Sequence, residues 1–138
     1  MMTIKVRAYH KELKRMISTN ELVKDQMTLL ADGRFINVSG VDSRLSQIVP
    51  RDRMIPLLFT GLFDKNKKEI YEGDILKTNN HLDYIEWKDE FSGFKYHSDK
   101  SRMTMVDWFE NGQYAGVEVI GNIYENPELL KGGKWKSI

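Results

Sequence analysis

At 138 residues, 41% of them hydrophobic and 30% charged, the chain has the size and make-up of one globular domain with a real core. It contains no cysteine, which excludes disulfides, thiolate nucleophiles and Cys-ligated zinc or iron–sulfur centres and fits a reducing compartment. The formal charge of +1 divides into 10 Lys/Arg against 6 Asp/Glu over residues 1–60 and 11 against 14 over residues 61–138, too mild a bias for binding that rests on neutralising many phosphates.

The first predicted element is a strand at residues 4–9, where apolar and polar residues alternate with period two and leave Lys5 and Arg7 wet. A polar connection over residues 10–14 leads to a second short strand around Arg15, Met16 and Ile17, which makes an opening hairpin. Ser18-Thr19-Asn20-Glu21 has the residues of a helix cap, but Leu22 and Val23 run into polar Lys24-Asp25-Gln26 without a sustained 3.6-residue period, and the segment reads as a loop. Residues 27–31 and 34–38 flank Asp32-Gly33, a pair that supplies the two positive φ values of a type I′ hairpin turn. Residues 39–52 lose the alternation; one or two helical turns at residues 43–48, ended by Pro50, are expected, and the seam between two lobes falls between about residues 39 and 53.

From Pro56, the apolar residues Leu57, Leu58, Phe59, Leu62 and Phe63 run into the turn cluster Asp64-Lys65-Asn66-Lys67-Lys68, and Ile70-Tyr71 then leads to the corner Glu72-Gly73-Asp74 before Ile75-Leu76. Gly73 is the residue free to take positive φ there, so a tight reversal is expected. A turn at residues 78–81, a strand at residues 84–87, a turn at Asp89-Glu90, a strand at residues 94–96 opened by Gly93 and a connection at Asp99-Lys100-Ser101 continue the meander. Residues 103–109 fit a strand or a helical turn equally, and Asn111-Gly112 breaks them. Val117, Val119 and Ile123 predict a strand with a bulge or close approach at Gly121, and Asn126-Pro127-Glu128 carries an N-cap, a first-turn proline and an acidic group ahead of a short turn at Leu129-Leu130.

Candidate chemistry is sparse. His10, His81 and His97 have no metal-ligand spacing, and exposed turn or strand-edge positions are expected for them. Asp83, Glu86, Asp89 and Glu90 could face a divalent cation, but alternation separates Asp83 from Glu86 and a solvated acidic edge is the simpler reading. Glu72 and Asp74 are the best acid/base pair, and a structural role in the turn accounts for both. No GxSxG, P-loop or GxGxxG pattern is present, so no enzyme activity, metal or cofactor is expected. No apolar run approaches the roughly 20 residues that cross a membrane and the first residues lack a secretory apolar core, so an intracellular protein without membrane partners is expected.

Three stretches together, IKVRAYHKELKRMI near the start, TGLFDKNKKEIYEGDIL in the middle and EVIGNIYENPELL near the end, resemble the conserved blocks of the YopX family of phage and prophage proteins, in an order spanning residues 4–130. The resemblance implies a mainly β architecture and a setting in the cytoplasm of a bacterial host, and it carries over no catalytic residue. Where the family's turn commonly reads Lys-Asn-Gly-Lys, this chain has Lys65-Asn66-Lys67-Lys68, and Asn66 is expected to take the left-handed conformation.

The whole then reads as two small β lobes, an N-terminal hairpin lobe at residues 1–50 and a C-terminal lobe at residues 54–138 whose meander closes into a small, SH3-like barrel by about residue 126. Turns are expected at Asp32, Gly33, Asn66, Gly73, Asp74, Gly121, Asn126 and Pro127. The favoured function is a non-enzymatic protein-interaction module whose edge strands, residues 117–123 or the N-terminal hairpin, pair with a protein partner or a second copy. The second reading is single-stranded nucleic-acid binding, with Tyr84, Trp87, Tyr96 and Trp108 stacking on bases beside Lys88, Lys95 and Arg102.

Overall fold

The computed structural model describes residues 5–37, 47–78, 81–110 and 116–130. It is mainly β, with two short helices among the described residues. The chain packs as two compact units that divide between Leu58 and Phe59, inside a strand and beyond the polar stretch read above as the seam. Among the described residues no helix is long and apolar enough to cross a membrane.

In the N-terminal unit β1 (Val6–His10) lies between β2 (Arg15–Ile17) and the first half of β6 (Met54–Phe63), antiparallel to both, with Ala8 opposite Ile17 on one side and Pro56 on the other. Alternation puts Ala8 wholly inside, where it meets Ile17, Leu22, Phe35 and Met54. The loop expected at residues 18–26 is instead helix α1 (Thr19–Lys24). Ser18 Oγ accepts the Glu21 N–H at 3.2 Å while a Glu21 carboxylate oxygen accepts the Ser18 N–H at 3.3 Å, a reciprocal cap that starts the helix without a long apolar stripe. Leu22 is the one residue it buries, which is why no 3.6-residue period shows in the sequence.

A second sheet of this unit runs β3 (Met27–Leu29), β4 (Phe35–Asn37), β5 (Gln47–Val49). The hairpin is present but its turn is not type I′, because only Gly33 has positive φ (+91°). Leu30 donates its N–H to the Arg34 carbonyl at 2.7 Å and Gly33 donates to the Leu30 carbonyl at 2.9 Å, enclosing a three-residue loop that ends in a left-handed glycine. Asp32 turns its carboxylate onto the Arg34 N–H and guanidinium instead of taking positive φ itself. Gln47 and Ile48, expected in a helical turn, belong to β5, where Ile48 pairs with Ile36; the rest of that expected turn lies outside the described residues.

In the C-terminal unit the second half of β6 pairs with β7 (Glu69–Tyr71), and β8 (Asp74–Lys77), β9 (Leu82–Lys88) and β10 (Gly93–Tyr96) form the expected meander. β11 (Glu118–Asn122) returns to the far side of β8, so the sheet order is β10-β9-β8-β11. The ambiguous residues 103–109 resolve as helix α2 (Met105–Glu110), with the Asp107 carboxylate accepting the Thr104 N–H at its start; Asn111-Gly112 lie outside the described residues. Ile70, Leu76, Ile85, Tyr96, Met105, Val117 and Val119 make the core, each large side chain contributing about 1.5–3 kcal/mol by burial.

Two turns hold this unit together. Asp64 accepts the N–H groups of Asn66 and Lys68 at 2.8 and 2.9 Å, so the bend closes on the residue between them, and it is Lys67 (φ +65°) and not Asn66 that is left-handed. At the next corner Gly73 (φ +87°) donates to the Ile85 carbonyl and accepts from Ile123, while buried Asp74 takes the Tyr71 N–H at 2.7 Å. A register shift between Val119 and Gly121 bulges β11, and a β-carbon on Gly121 would lie 2.6 Å from Asn126 Oδ1. That Asn126 oxygen accepts the Asn122 N–H, so the side chain closes the preceding turn rather than capping the 3-10 turn at residues 127–130.

Candidate interaction surface

The β9–β10 hairpin presents two faces. Cross-strand pairing sets Trp87 against Phe94 and Ile85 against Tyr96 on one, and Glu86 against Lys95 on the other. On the first face the Trp87 and Phe94 rings meet edge to face with centroids 5.1 Å apart, and the Trp87 indole N–H donates to Asp89 at 2.6 Å. On the second the Tyr84 and His97 rings stack at 4.6 Å, and the Glu86 carboxylate reaches Lys88 Nζ at 2.6 Å and His97 Nδ1 at 3.2 Å. The hydrogen bond from Lys88 to Glu86 raises the lysine pKa against the pull of desolvation. Burial raises that of the Tyr84 phenol, helped by the Glu86 and Asp83 charges.

The residues proposed from the sequence for nucleic-acid contact do not form one surface. Trp87 is 42% exposed, Arg102 is exposed, and Tyr84 and Lys88 are half-buried. Lys95 is buried, with its ammonium donating to the Ser101 carbonyl, 3.6 Å from Asp99 and 4.1 Å from the centroid of the Phe91 ring. Tyr96 is buried among the core residues, and Trp108 donates its indole N–H to Asp99 at 3.3 Å. Two of the presumed contacts are therefore interior groups. Lys95 is covered by Phe91, Asp99 and Ser101 from neighbouring turns, and Tyr96 by the core cluster it belongs to.

The acidic cluster also divides. Asp89 and Glu90 are exposed and Glu86 is half-buried, but Asp83 is buried and accepts from the Tyr84 N–H and from both the backbone N–H and the hydroxyl of Ser98. It is a structural carboxylate rather than part of a solvated edge. His81 stands 3.5 Å from it, His97 is half-exposed on Tyr84, and His10 accepts the Leu13 N–H through Nδ1. Asp74 is committed to the Tyr71 backbone, which accounts for its place beside Glu72. One polar residue that sequence reasoning passed over as a plain turn former is Asp64, whose second oxygen accepts the Val119 N–H at 2.9 Å across 55 residues. Together with the Lys65 N–H on the carbonyl of Val117, just ahead of β11, it occupies backbone groups along that edge, which blunts the edge expected to pair with a partner.

Residues 5–131 match the family described as "YopX protein". The chain is a YopX-family protein. Among relatives, this YopX-family chain is similar to the SPbeta prophage-derived uncharacterized protein YopX of Bacillus subtilis (strain 168), 56% identical over 32 residues that make up 23% of this chain and 22% of that one. It also resembles the crystal structure of protein EF1440 from Enterococcus faecalis, with a TM-score of 0.63 and 27% identity over 95% of this chain and 100% of that one. In this YopX-family protein a lysine, Lys67, holds the left-handed position of the Asp64 turn.

Proposed function

We propose that this YopX-family protein is a non-enzymatic accessory factor of a phage or prophage, working in the cytoplasm of the bacterial host by binding a protein. The observation that carries the reading is the end of the β9–β10 hairpin, where Trp87 and Phe91 are 42% and 36% exposed beside the charged residues Lys88, Asp89 and Glu90. Large aromatics with a polar rim are the residues that anchor protein interfaces, Trp above all. A second copy of the chain is the simplest partner, since a surface that meets itself across a two-fold axis needs no separate ligand. The name of the Bacillus subtilis relative, which places that protein in a prophage, supports the phage setting.

Single-stranded nucleic acid is the second reading, kept by Trp87 on one face of the hairpin and Tyr84 with Lys88 on the other. It is the weaker one because Lys95 and Tyr96 are buried and Glu86, Asp89 and Glu90 are interleaved with the remaining cation. Light scattering at rising protein concentration, paired with titration of labelled DNA and RNA single strands at low and high salt, tests the choice. The expected result is a mass that rises above the monomer for the parent and falls back for Trp87→Ser, with no salt-sensitive oligonucleotide binding. A strict monomer that binds oligonucleotides more weakly as salt rises would overturn it in favour of the second reading.

A further inference from the structure

A cleft of about 510 Å³ opens in the C-terminal unit, a volume in the range of small-ligand sites. Its apolar lining includes Tyr96, Trp108 and Phe109, and His81 and Lys100 stand among its polar groups. The carboxylate of that lining, Asp99, is already committed. Asp99 accepts from the Ser101 N–H at 2.9 Å, the Ser101 hydroxyl at 3.0 Å and the Trp108 indole N–H at 3.3 Å.

The donors are not. Tyr96 is only 8% exposed, its ring packs in the core and edge-on to His81 at 5.8 Å, yet its hydroxyl makes no hydrogen bond among the described residues and keeps some contact with the cleft. The hydroxyl is not shut away from solvent, so it is free to donate to a bound ligand. The Lys100 ammonium is exposed at the cleft and has no ion pair among the described residues. Burial, reinforced by the Asp83 charge, raises the Tyr96 pKa, so the phenol stays protonated and able to donate at neutral pH.

From these groups we infer that the cleft binds a small planar aromatic anion, its ring against Trp108 and Phe109 and its carboxylate or phosphate taking hydrogen bonds from the Tyr96 hydroxyl and Lys100. A committed carboxylate beside free donors selects for acceptor-rich ligands, and the aromatic walls select for a flat ring. The inference is independent of any protein partner, because it uses none of the exposed hairpin aromatics.

Calorimetric titration of the full chain with naphthalene-2-carboxylate, adenosine 5′-monophosphate and neutral naphthalene-2-carboxamide tests it. Saturable binding of at least one anion with a Kd below about 1 mM is expected, with the amide about tenfold weaker. Tyr96→Phe, which keeps the ring in the core, is expected to weaken that anion about tenfold, and Lys100→Ala, at an exposed position, about threefold. A preference for the carboxylate or for the nucleotide then identifies the source of the anionic group. No saturation by either anion up to about 5 mM, equal binding of the amide, or unchanged affinity in both variants would overturn the inference. Should Tyr96→Phe fail to fold, the Lys100→Ala variant and the amide decide it.

Discussion

Lys67 and Gly73 are both left-handed, six residues apart, and only one of them is glycine. A side chain in that conformation costs about 1–2 kcal/mol, partly recovered against glycine's greater freedom when unfolded, so Lys67→Gly is expected to stabilise the chain by about 0.5–1 kcal/mol in a urea midpoint. A lower midpoint would mean that the lysine side chain contributes a contact worth more than the strain. At Gly73 the opposite substitution is informative: a β-carbon there would meet the Tyr124 ring at 3.2 Å in a backbone that β-branched residues avoid. Gly73→Val is expected to cost about 1–3 kcal/mol, and a variant as stable as the parent would remove the strained corner from this description. Gly73 was legible in the sequence because a glycine between two carboxylates and two apolar strands has few other uses. Lys67 was not, since local propensity points to Asn66 and the deciding contact is Asp64 reaching two backbone groups at once. Nor was the burial of Lys95 and Asp83, whose partners at Phe91 and Ser98 to Ser101 are set by how neighbouring turns fold back.

Among elements, the Asp64 turn ties the β6–β7 hairpin to β11. Burial works to raise its pKa, but the N–H groups of Val119, Lys68 and Asn66, aided by the Lys68 charge, outweigh it and hold the carboxyl below its ordinary value. A carboxyl whose folded pKa lies below its unfolded one stabilises the fold in full above about pH 4 and loses that contribution as pH falls through the folded value. Asp64→Ala, which leaves the buried Val119 N–H unpartnered, is expected to cost about 1–3 kcal/mol near neutral pH and to flatten the acid limb of a stability–pH curve. An unaltered limb would assign acid sensitivity to other carboxyls. Strands with plain alternation or β-rich runs, such as β1, β6 and β9, were readable as elements; α1 and β5 were not. A six-residue helix that buries only Leu22 shows no period, and three residues of strand at Gln47–Val49 take their structure from pairing with β4.

For the whole molecule, the fold class follows from sequence pattern, whereas the surface proposed to bind a partner does not, because exposure is settled by packing among distant residues. Trp87 and Phe91 are the clearest case: one belongs to a strand and one to a 3-10 turn (Asp89–Phe91), and nothing in their local sequence distinguishes them from the buried Phe35 or the half-buried Phe94. Replacing both by serine is expected to leave the far-ultraviolet circular dichroism of the chain unchanged, since neither belongs to the core clusters, and a lost β spectrum would show that they are structural after all. Protein binding through that hairpin end is tested most directly by affinity capture of the tagged full chain from lysogenic bacterial cells, run side by side with the Trp87→Ser/Phe91→Ser variant and read by quantitative mass spectrometry. A protein, or an untagged copy of the same chain, recovered with the parent and lost with the folded variant is the expected result; equal recovery with both, or recovery of nucleic acid alone that salt releases, would contradict it.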